Sequence, residues 1–481
     1  MNNRNSNNVE RPAIKRVAIA GHGFEAWLAA NYLLAAFGSK NIEIQVCPVD
    51  GSDALDELYA ILPDSPDPDL TSSGLSSHVL ARACGASFSL GARIDGQAKP
   101  YGRIGLDFLG LPFHHHWQRA YPGQGPGGYF AWSLATLAMQ RRVFAPPTAG
   151  HTGSEPDYGM AHHVNISLFT RLLRERAIRN GVKELKGSLE SVKRDDGLSR
   201  VVELKSSQGE TAQADLYLDC SGPERAVASG TARHKWVTAH GLDDFQLHVS
   251  RTDEIVETPC SHLLESTPHG WRLEIPGSGW VSRITLSDLQ AAGTELKLTP
   301  GHLADPWIEN CVAVGTASAV FLPVEPLQFR YFARSIQRVL DLLPGRDCNR
   351  SETTEYNRLN RTEAEDLEDL TACYEMARRQ GGLNLADRDL SAVSSNLRNR
   401  IELFSRRGRV TPGDCDFLEP GDWASSLILL GLIPERFDRM VERLPLDVLM
   451  SYLEKMRHKL ETRVAEFPPH DIYLNAVKSA R

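Results

Sequence analysis

A glycine-containing turn near the start of the chain most constrains its fold. The turn places Gly21, Gly23 and Ala26 in the spacing G-x-G-x-x-A, directly after an apolar run at residues 16–20. In a strand–turn–helix unit the first glycine permits the tight turn, and the second lets a pyrophosphate approach the N–H groups at the start of the helix. The sequence therefore predicts a dinucleotide-binding βαβ unit, although a plain strand-to-helix turn also fits so short a motif.

The residues after the turn extend this unit. We expect a helix over residues 28–37, which Gly38 ends, and a second strand over residues 42–46. In dinucleotide-binding folds an acidic side chain at the end of the second strand binds the ribose hydroxyls. That position holds Cys47, and Asp50 takes the role only if the following loop folds back.

Composition excludes several classes of function. Asp and Glu number 61 against 53 Lys and Arg, which gives a net charge of −8, and the basic residues form only short pairs. The chain therefore lacks a positive stripe for nucleic acid. The longest apolar runs fall short of the roughly 20 residues of a membrane span, and the polar start is unlike a signal peptide. We expect a cytoplasmic protein without a nucleic-acid or membrane partner.

Cysteines and histidines form no recognisable metal or disulfide pattern. The eight cysteines lie far apart without a C-x-x-C pair, and the histidines at 114–116 and 162–163 are consecutive. Consecutive residues on a regular element cannot all face one ion. We expect reduced, mostly buried thiols and no metal site.

The remaining chain divides into a sheet-rich part and a helical part. Residues 162–182 have helical periodicity, further strands follow, and a buried strand at 311–315 leads into a second small-residue turn. These patterns predict an α/β fold with one domain over residues 12–345. A helical C-terminal module is expected over residues 346–481.

Blocks along nearly the whole chain resemble the flavin-dependent tryptophan halogenase family, a branch of the flavin monooxygenases. Each block alone is of modest specificity, but this many in the family's order are hard to obtain by chance. The blocks are the glycine turn at 21–27, residues 85–91, 162–182, 214–222, 270–276 and 310–315, Phe321 with Leu322, and residues 467–473.

The resemblance implies a Rossmann-like FAD-binding domain with a substrate-side sheet, covered by a helical module at the substrate pocket. In the family, reduced FAD and oxygen oxidise a halide, and the resulting hypohalous acid attacks an aromatic substrate, often an indole. The flavin carries the oxygen chemistry, while the protein positions the reactants. By this resemblance the candidate cofactor-binding residues are Gly21, Gly23, Ala26, Trp27, Gly222, Gly315 and Thr316.

Two functional motifs of the family differ in this chain. The family's lysine follows the Phe of a Gly-Ala-x-Phe block, where this chain has Ser89. A serine hydroxyl can hydrogen-bond an oxidant but cannot hold it as an ammonium group does, and Lys99 would have to reach back from another strand. The tryptophan motif keeps Trp271 but has Leu273 in place of the second Trp, a pattern that an ordinary strand also explains.

The family's halide-binding loop is also altered. Its Phe-Leu-Glu-Pro-Leu-Glu-Ser-Thr stretch is replaced by Phe-Leu-Pro-Val-Glu-Pro-Leu-Gln-Phe from residue 321 onward. The family's second glutamate aligns with Pro326 or with Gln328, depending on the anchor, so either alignment lacks a carboxylate there. Proline also removes a donor from an anion-binding nest. We expect Ser89 and Glu325 to be the polar groups nearest the reaction space, and they are the candidate catalytic residues.

Two hypotheses for function lead, and a halogenase that uses other residues and a nicotinamide dehydrogenase on the same βαβ unit also remain open. The first is an FAD-dependent oxidoreductase that uses a partner flavin reductase, reduced flavin and O2 on an aromatic small molecule or peptide, and whose chemistry has moved away from lysine-directed halogenation. The second is a non-catalytic paralogue, a binding or accessory protein. The family's flavin-covering Val-Gly-Glu-Ala-Thr segment is replaced by an Asp/Pro-rich stretch at residues 64–69, which favours the second. A homodimer is compatible with both.

Overall fold

A computed structural model gives the fold of most of the chain. Both the polar head at residues 1–11 and the Asp/Pro-rich stretch at 64–69 lie outside the described residues. The structure describes residues 13–63, 76–147, 157–195, 197, 199–230, 233–254, 258–288, 296–343, 345, 350–379, 382–386, 388–411 and 418–479.

The predicted βαβ unit lies at the centre of a six-stranded sheet. Strand Arg16–Ala20 pairs in parallel with Glu43–Cys47 on one side and with Leu216–Asp219 on the other. Helix Phe24–Phe37 connects the first two strands, beginning four residues earlier than the sequence pattern indicates. The α/β prediction is therefore confirmed. In spatial order the strands are Trp307–Ile308, Cys311–Ala313, Leu216–Asp219, Arg16–Ala20, Glu43–Cys47 and Lys183–Glu184.

A second, largely antiparallel sheet has seven strands. Trp271, Leu273 and Ile275 are all buried in one of its central strands, as the alternating pattern predicts. In spatial order its strands are Leu296–Leu298, Phe245–Thr252, Val281–Ser287, Gly270–Pro276, His262–Thr267, Gly91–Ile94 and Gln97–Pro100.

Three small sheets complete the described strands. The predicted helix at 162–182 is shorter than expected, because residues Ala161–His163 pair as a strand before helix Ile166–Arg179 begins. The three sheets comprise Thr211–Ala212, Val201–Ser206 and Leu189–Arg194; Trp236–Thr238, Gly301–Leu303 and Ala319–Val320; and Ile61–Pro63, Ala161–His163 and Ser87–Ser89.

Helices dominate beyond residue 350, as predicted. The described α-helices are Phe24–Phe37, Ser77–Ala83, Phe113–Ala120, Pro126–Phe130, Leu134–Arg141, Ile166–Arg179, Leu327–Asp341, Arg350–Arg378, Ser395–Arg407, Pro420–Leu429, Leu446–Ala465 and His470–Ser479. Short 3₁₀ turns are Asp56–Tyr59, Gly222–Glu224, Ala228–Gly230, Gly315–Ala317 and Arg439–Arg443.

One main hydrophobic core joins the sheets to the C-terminal helices. It extends from Ile14 before the first strand to Val477 in the last helix. The six cysteines in the described ranges are buried and free. Among the helices described above, none has the length and apolar content needed to cross a membrane.

Candidate functional site

The glycine turn has the backbone form that the sequence predicts. Gly21 has a φ of +133°, and Ala26 packs directly against it. Trp27 lies fully buried in the core, where its indole Nε1 donates to the carbonyl of His22 at 2.9 Å. Trp27 therefore stabilises the turn through this hydrogen bond, and its buried side chain is not accessible to a cofactor.

Two N–H groups at the glycine turn, those of His22 and Phe24, have acceptors within the chain. The backbone N–H of Phe24 donates to both carboxyl oxygens of Asp56, at 3.0 and 2.9 Å. The N–H of His22 donates to the hydroxyl of Ser52 at 2.9 Å. In a dinucleotide site these are the donors that a pyrophosphate would use.

The second glycine of the motif is also covered. A Cβ placed on Gly23 would lie 2.7 Å from Oδ1 of Asp56 and 2.9 Å from the carbonyl oxygen of Ser52. Space above this glycine is what normally admits a pyrophosphate. Here the chain itself occupies that space.

Glu25 covers the second candidate cofactor contact. Gly315 has a φ of +61°, which favours glycine, and a Cβ there would overlap the Glu25 carboxyl group. The backbone N–H of Thr316 donates to Oε1 of Glu25 at 2.6 Å, and the hydroxyl of Tyr59 donates to the same oxygen. Burial raises the pKa of Glu25 to about 7. Among the described residues nothing donates to or accepts from Oε2.

Aromatic rings fill the space next to these carboxyl groups. The rings of Phe24 and Tyr59 lie 4.9 Å apart between centroids, and the Phe24 ring also faces Phe169 at 5.6 Å.

Gly222 lies near Ser52 and Thr316 with more room around it. At the expected ribose position the Cys47 thiol is buried, and burial raises its pKa to about 11. The residues present therefore do not accommodate FAD in this arrangement.

A separate pocket of about 470 Å³ lies beside Glu325. The ammonium group of Lys99 contacts the Glu325 carboxyl group and donates to the hydroxyls of Tyr374 at 3.1 Å and Ser426 at 2.9 Å. The Tyr374 hydroxyl also donates to Glu325 at 2.7 Å. The other lining residues include the apolar Ala92, Ile94, Pro100, Met160, Val324, Leu327, Phe329 and Ala333 and the charged Arg330, Arg334 and Asp422.

The two candidate catalytic residues differ in whether they line the pocket. Glu325 lines the pocket, whereas Ser89 is fully buried, is not among the lining residues, and donates to the carbonyl of Gly91 at 3.0 Å. The sequence does not identify Tyr374 as a partner of Lys99 and Glu325. From the sequence, Lys99 is identified only as a lysine that would have to reach back from another strand, and no signal indicates Tyr374.

Gln328, one of the two positions aligned with the family's second glutamate, points into the protein. Its side-chain Nε2 donates to the carbonyl of Ala319 at 2.8 Å, and its Oε1 accepts from the N–H of Phe321 at 3.2 Å. Gln328 is 4% exposed. It therefore holds the altered loop in place and does not face the pocket.

Comparisons with known proteins agree on one family. A sequence model described as tryptophan halogenase matches residues 16–446. Tryptophan 7-halogenase RebH of Lentzea aerocolonigenes is 23% identical over 412 residues, covering 75% of this chain and 76% of RebH. The structure of BrvH, a flavin-dependent halogenase from Brevundimonas sp. BAL3, is 22% identical with a TM-score of 0.86, covering 97% of this chain and 99% of BrvH. Xcc4156, a flavin-dependent halogenase from Xanthomonas campestris, is 23% identical with a TM-score of 0.84, covering 98% and 99% of the two chains.

Proposed function

The chain belongs to the tryptophan halogenase family, which is flavin-dependent, and from this premise we propose that it is a divergent member that binds an aromatic small molecule or peptide side chain as an accessory protein. The ligand would occupy the pocket beside Lys99 and Glu325. The single observation that carries this proposal is that the pocket is open, whereas Asp56, the backbone at residues 52–53 and Glu25 lie against the glycines at 23 and 315 that the family resemblance assigns to the flavin.

The composition of the pocket supports an aromatic ligand. An apolar wall with a few convergent polar groups is typical of small-molecule sites. Phe329, Met160 and Pro100 provide flat or flexible apolar surface. The Glu325 carboxyl group supplies an acceptor that suits an indole N–H, and Lys99, whose ammonium group donates to Glu325, Tyr374 and Ser426, holds that carboxyl group in place.

The position of the pocket supports the domain division proposed from the sequence. Lys99 and Glu325 come from the part over residues 12–345, while Tyr374 and Ser426 come from the helical module over residues 346–481. The polar cluster thus joins the two parts beside the pocket. A helical module that covers the ligand is what the family resemblance implies.

The oxidoreductase hypothesis is the second candidate. Family membership favours it, as does a lysine that lies in the pocket next to a glutamate. When bound in this family, FAD supplies the oxygen chemistry, and a separate flavin reductase supplies reduced flavin. In this chain Lys99, and not Ser89, would present the ammonium group to a substrate. The requirement for FAD separates this candidate from the first.

Ligand binding can be tested by calorimetric titration of the purified chain with indole, tryptophan and a tryptophan-containing peptide. We expect saturable binding of at least one ligand and roughly tenfold weaker binding by a Lys99→Met variant, because loss of one good polar contact costs about 1.4 kcal/mol. Lys205→Met removes an exposed lysine on another sheet and is the matched control. Absence of binding by every ligand, or equal affinities of the Lys99→Met variant and the wild type, would refute the proposal.

Flavin content distinguishes the second candidate. The visible absorption spectrum of the chain is recorded before and after incubation with FAD and removal of free flavin. A retained flavin band would favour the oxidoreductase, and turnover with a flavin reductase would then be examined. A protein without the band would favour the accessory role.

A further inference from the structure

We propose that segment 50–59 permanently occupies the family's flavin cleft, so that the cleft has become a packed part of the protein core. Segment 50–59 here means the loop after the second strand together with the 3₁₀ turn Asp56–Tyr59. The inference rests on the accessory role proposed above. It identifies the segment that takes the place of the cofactor.

The segment accepts the hydrogen bonds at the glycine turn that a bound pyrophosphate would accept. Asp56 accepts from the N–H of Phe24, and Ser52 accepts from the N–H of His22. A carboxyl group at this place satisfies the N–H at the start of the helix as a phosphate would. The start of the helix therefore has its acceptors without a ligand.

The segment is also held by contacts to the seven-stranded sheet. The Glu57 carboxyl group contacts Arg251 and accepts from the hydroxyl of Ser282 at 2.8 Å, and both partners lie in the seven-stranded sheet. Leu55 and Leu58 are buried in the main core. Admission of FAD would require these side chains and the anchoring contacts to leave their places.

Glu25 and Tyr59 occupy the part of the cleft next to Gly315 and Thr316. The Tyr59 hydroxyl and the Thr316 N–H both donate to Glu25, which is 4% exposed. Tyr59 itself packs against Phe24 and, edge-on, against Phe332 at 6.1 Å. The two turns that would hold opposite ends of the cofactor are thus joined by side chains.

A pair of glycines with the same backbone conformation provides a test. Gly23 and Gly125 are both N-caps of helices, with φ values of −76° and −80°, so alanine is unstrained at either position. A Cβ on Gly23 would crowd Asp56 and the Ser52–Asp53 backbone, whereas nothing lies within 4 Å of a Cβ on Gly125. The two substitutions therefore differ mainly in whether the space above the glycine is filled.

The thermal midpoints of flavin-free wild type, Gly23→Ala and Gly125→Ala are compared. We expect Gly23→Ala to lower Tm by roughly 1–3 °C through overpacking and Gly125→Ala to shift it by less than about 0.5 °C. Equal midpoints for the two variants would show an open cleft and overturn the proposal.

A second measurement applies even if Gly23→Ala fails to fold. Wild-type protein is mixed with excess FAD and desalted, with free FAD passed over the same column as a control. We expect no flavin to elute with the protein, and stoichiometric flavin would overturn the proposal. If no flavin is retained but the wild type binds none of the aromatic ligands in the calorimetric titration, only the accessory role fails. Retained flavin would overturn the filled cleft whatever the titration shows.

Discussion

Lys99 and Glu325 form an ion pair in the lining of the pocket although they lie 226 positions apart in the sequence. Lys99 stands on the edge strand Gln97–Pro100, where it pairs with Ala92 of the neighbouring strand, and Glu325 precedes helix Leu327–Asp341. The side chains are 11% and 17% exposed. The pair is therefore largely desolvated and depends on the hydroxyls of Tyr374 and Ser426 for its remaining hydrogen bonds.

Breaking this pair on one side should destabilise the protein more than removing both partners. Lys99→Met leaves a mostly buried carboxyl group without its cation, so we expect a loss of about 3 kcal/mol in the free energy of unfolding. The double variant Lys99→Met with Glu325→Leu should lose less, because no charge is left unpaired. Urea unfolding of the two single variants and the double variant measures the coupling. A double variant that loses the sum of the two single losses would contradict the prediction.

The βαβ unit was predictable because its signals are local. Strand Arg16–Ala20 and the glycine turn are specified by neighbouring residues, and both are found as predicted. The start of the helix at Phe24 was missed, because Asp56, which accepts from its N–H, lies 32 positions away. For the same reason the sequence could not reveal that Glu25 meets Thr316, or that Lys99 meets Glu325. These contacts depend on chain crossings that no periodicity specifies.

Glu25 should make stability fall as the pH rises. Its pKa is raised by burial from about 4.5 to about 7 in the folded state, so the folded protein holds a proton that the unfolded chain releases. The associated stability is fully present below about pH 4.5 and is lost as the pH rises to about 7, by roughly 3 kcal/mol. A Glu25→Gln variant cannot ionise and should be the more stable protein at about pH 8. Its advantage over the wild type should disappear near pH 5.

Thermal midpoints of the two proteins across this pH range measure the effect. Glu190→Gln, which changes an exposed carboxyl group on another sheet, is the control and should follow the wild-type profile. Parallel profiles for Glu25→Gln and the wild type would mean that Glu25 does not titrate in this range.

Restoring the family's glutamate at position 328 should harm the fold. Gln328 donates to the carbonyl of Ala319 and accepts from the N–H of Phe321. A glutamate would keep the second hydrogen bond but would place a buried carboxylate against the carbonyl oxygen. We expect Gln328→Glu to lose about 2 kcal/mol in unfolding free energy, with most of the loss above neutral pH. Chemical denaturation at two pH values checks this, and a Gln328→Glu variant as stable as the wild type would mean that the side chain faces the pocket.

Trp271 should contribute to stability through one hydrogen bond as well as through its volume. Its indole Nε1 donates to Glu375 at 3.0 Å, and the guanidinium group of Arg378 contacts the same carboxyl group. Arg378 in turn donates to the carbonyls of Thr267 and Pro268, so the indole belongs to a buried network between the seven-stranded sheet and helix Arg350–Arg378. Trp271→Phe keeps an aromatic ring but removes the donor, and we expect a loss of about 2 kcal/mol.

The structural role of Trp271 can be separated from a role in ligand binding. Trp271 is not among the lining residues of the Lys99–Glu325 pocket, so Trp271→Phe should leave the affinity for an aromatic ligand unchanged while lowering the urea midpoint. Trp236→Phe, at a partly buried tryptophan in another sheet, serves as the control for loss of an indole. A Trp271→Phe variant with normal stability and weakened ligand binding would instead place this tryptophan in the site, as the family motif suggests.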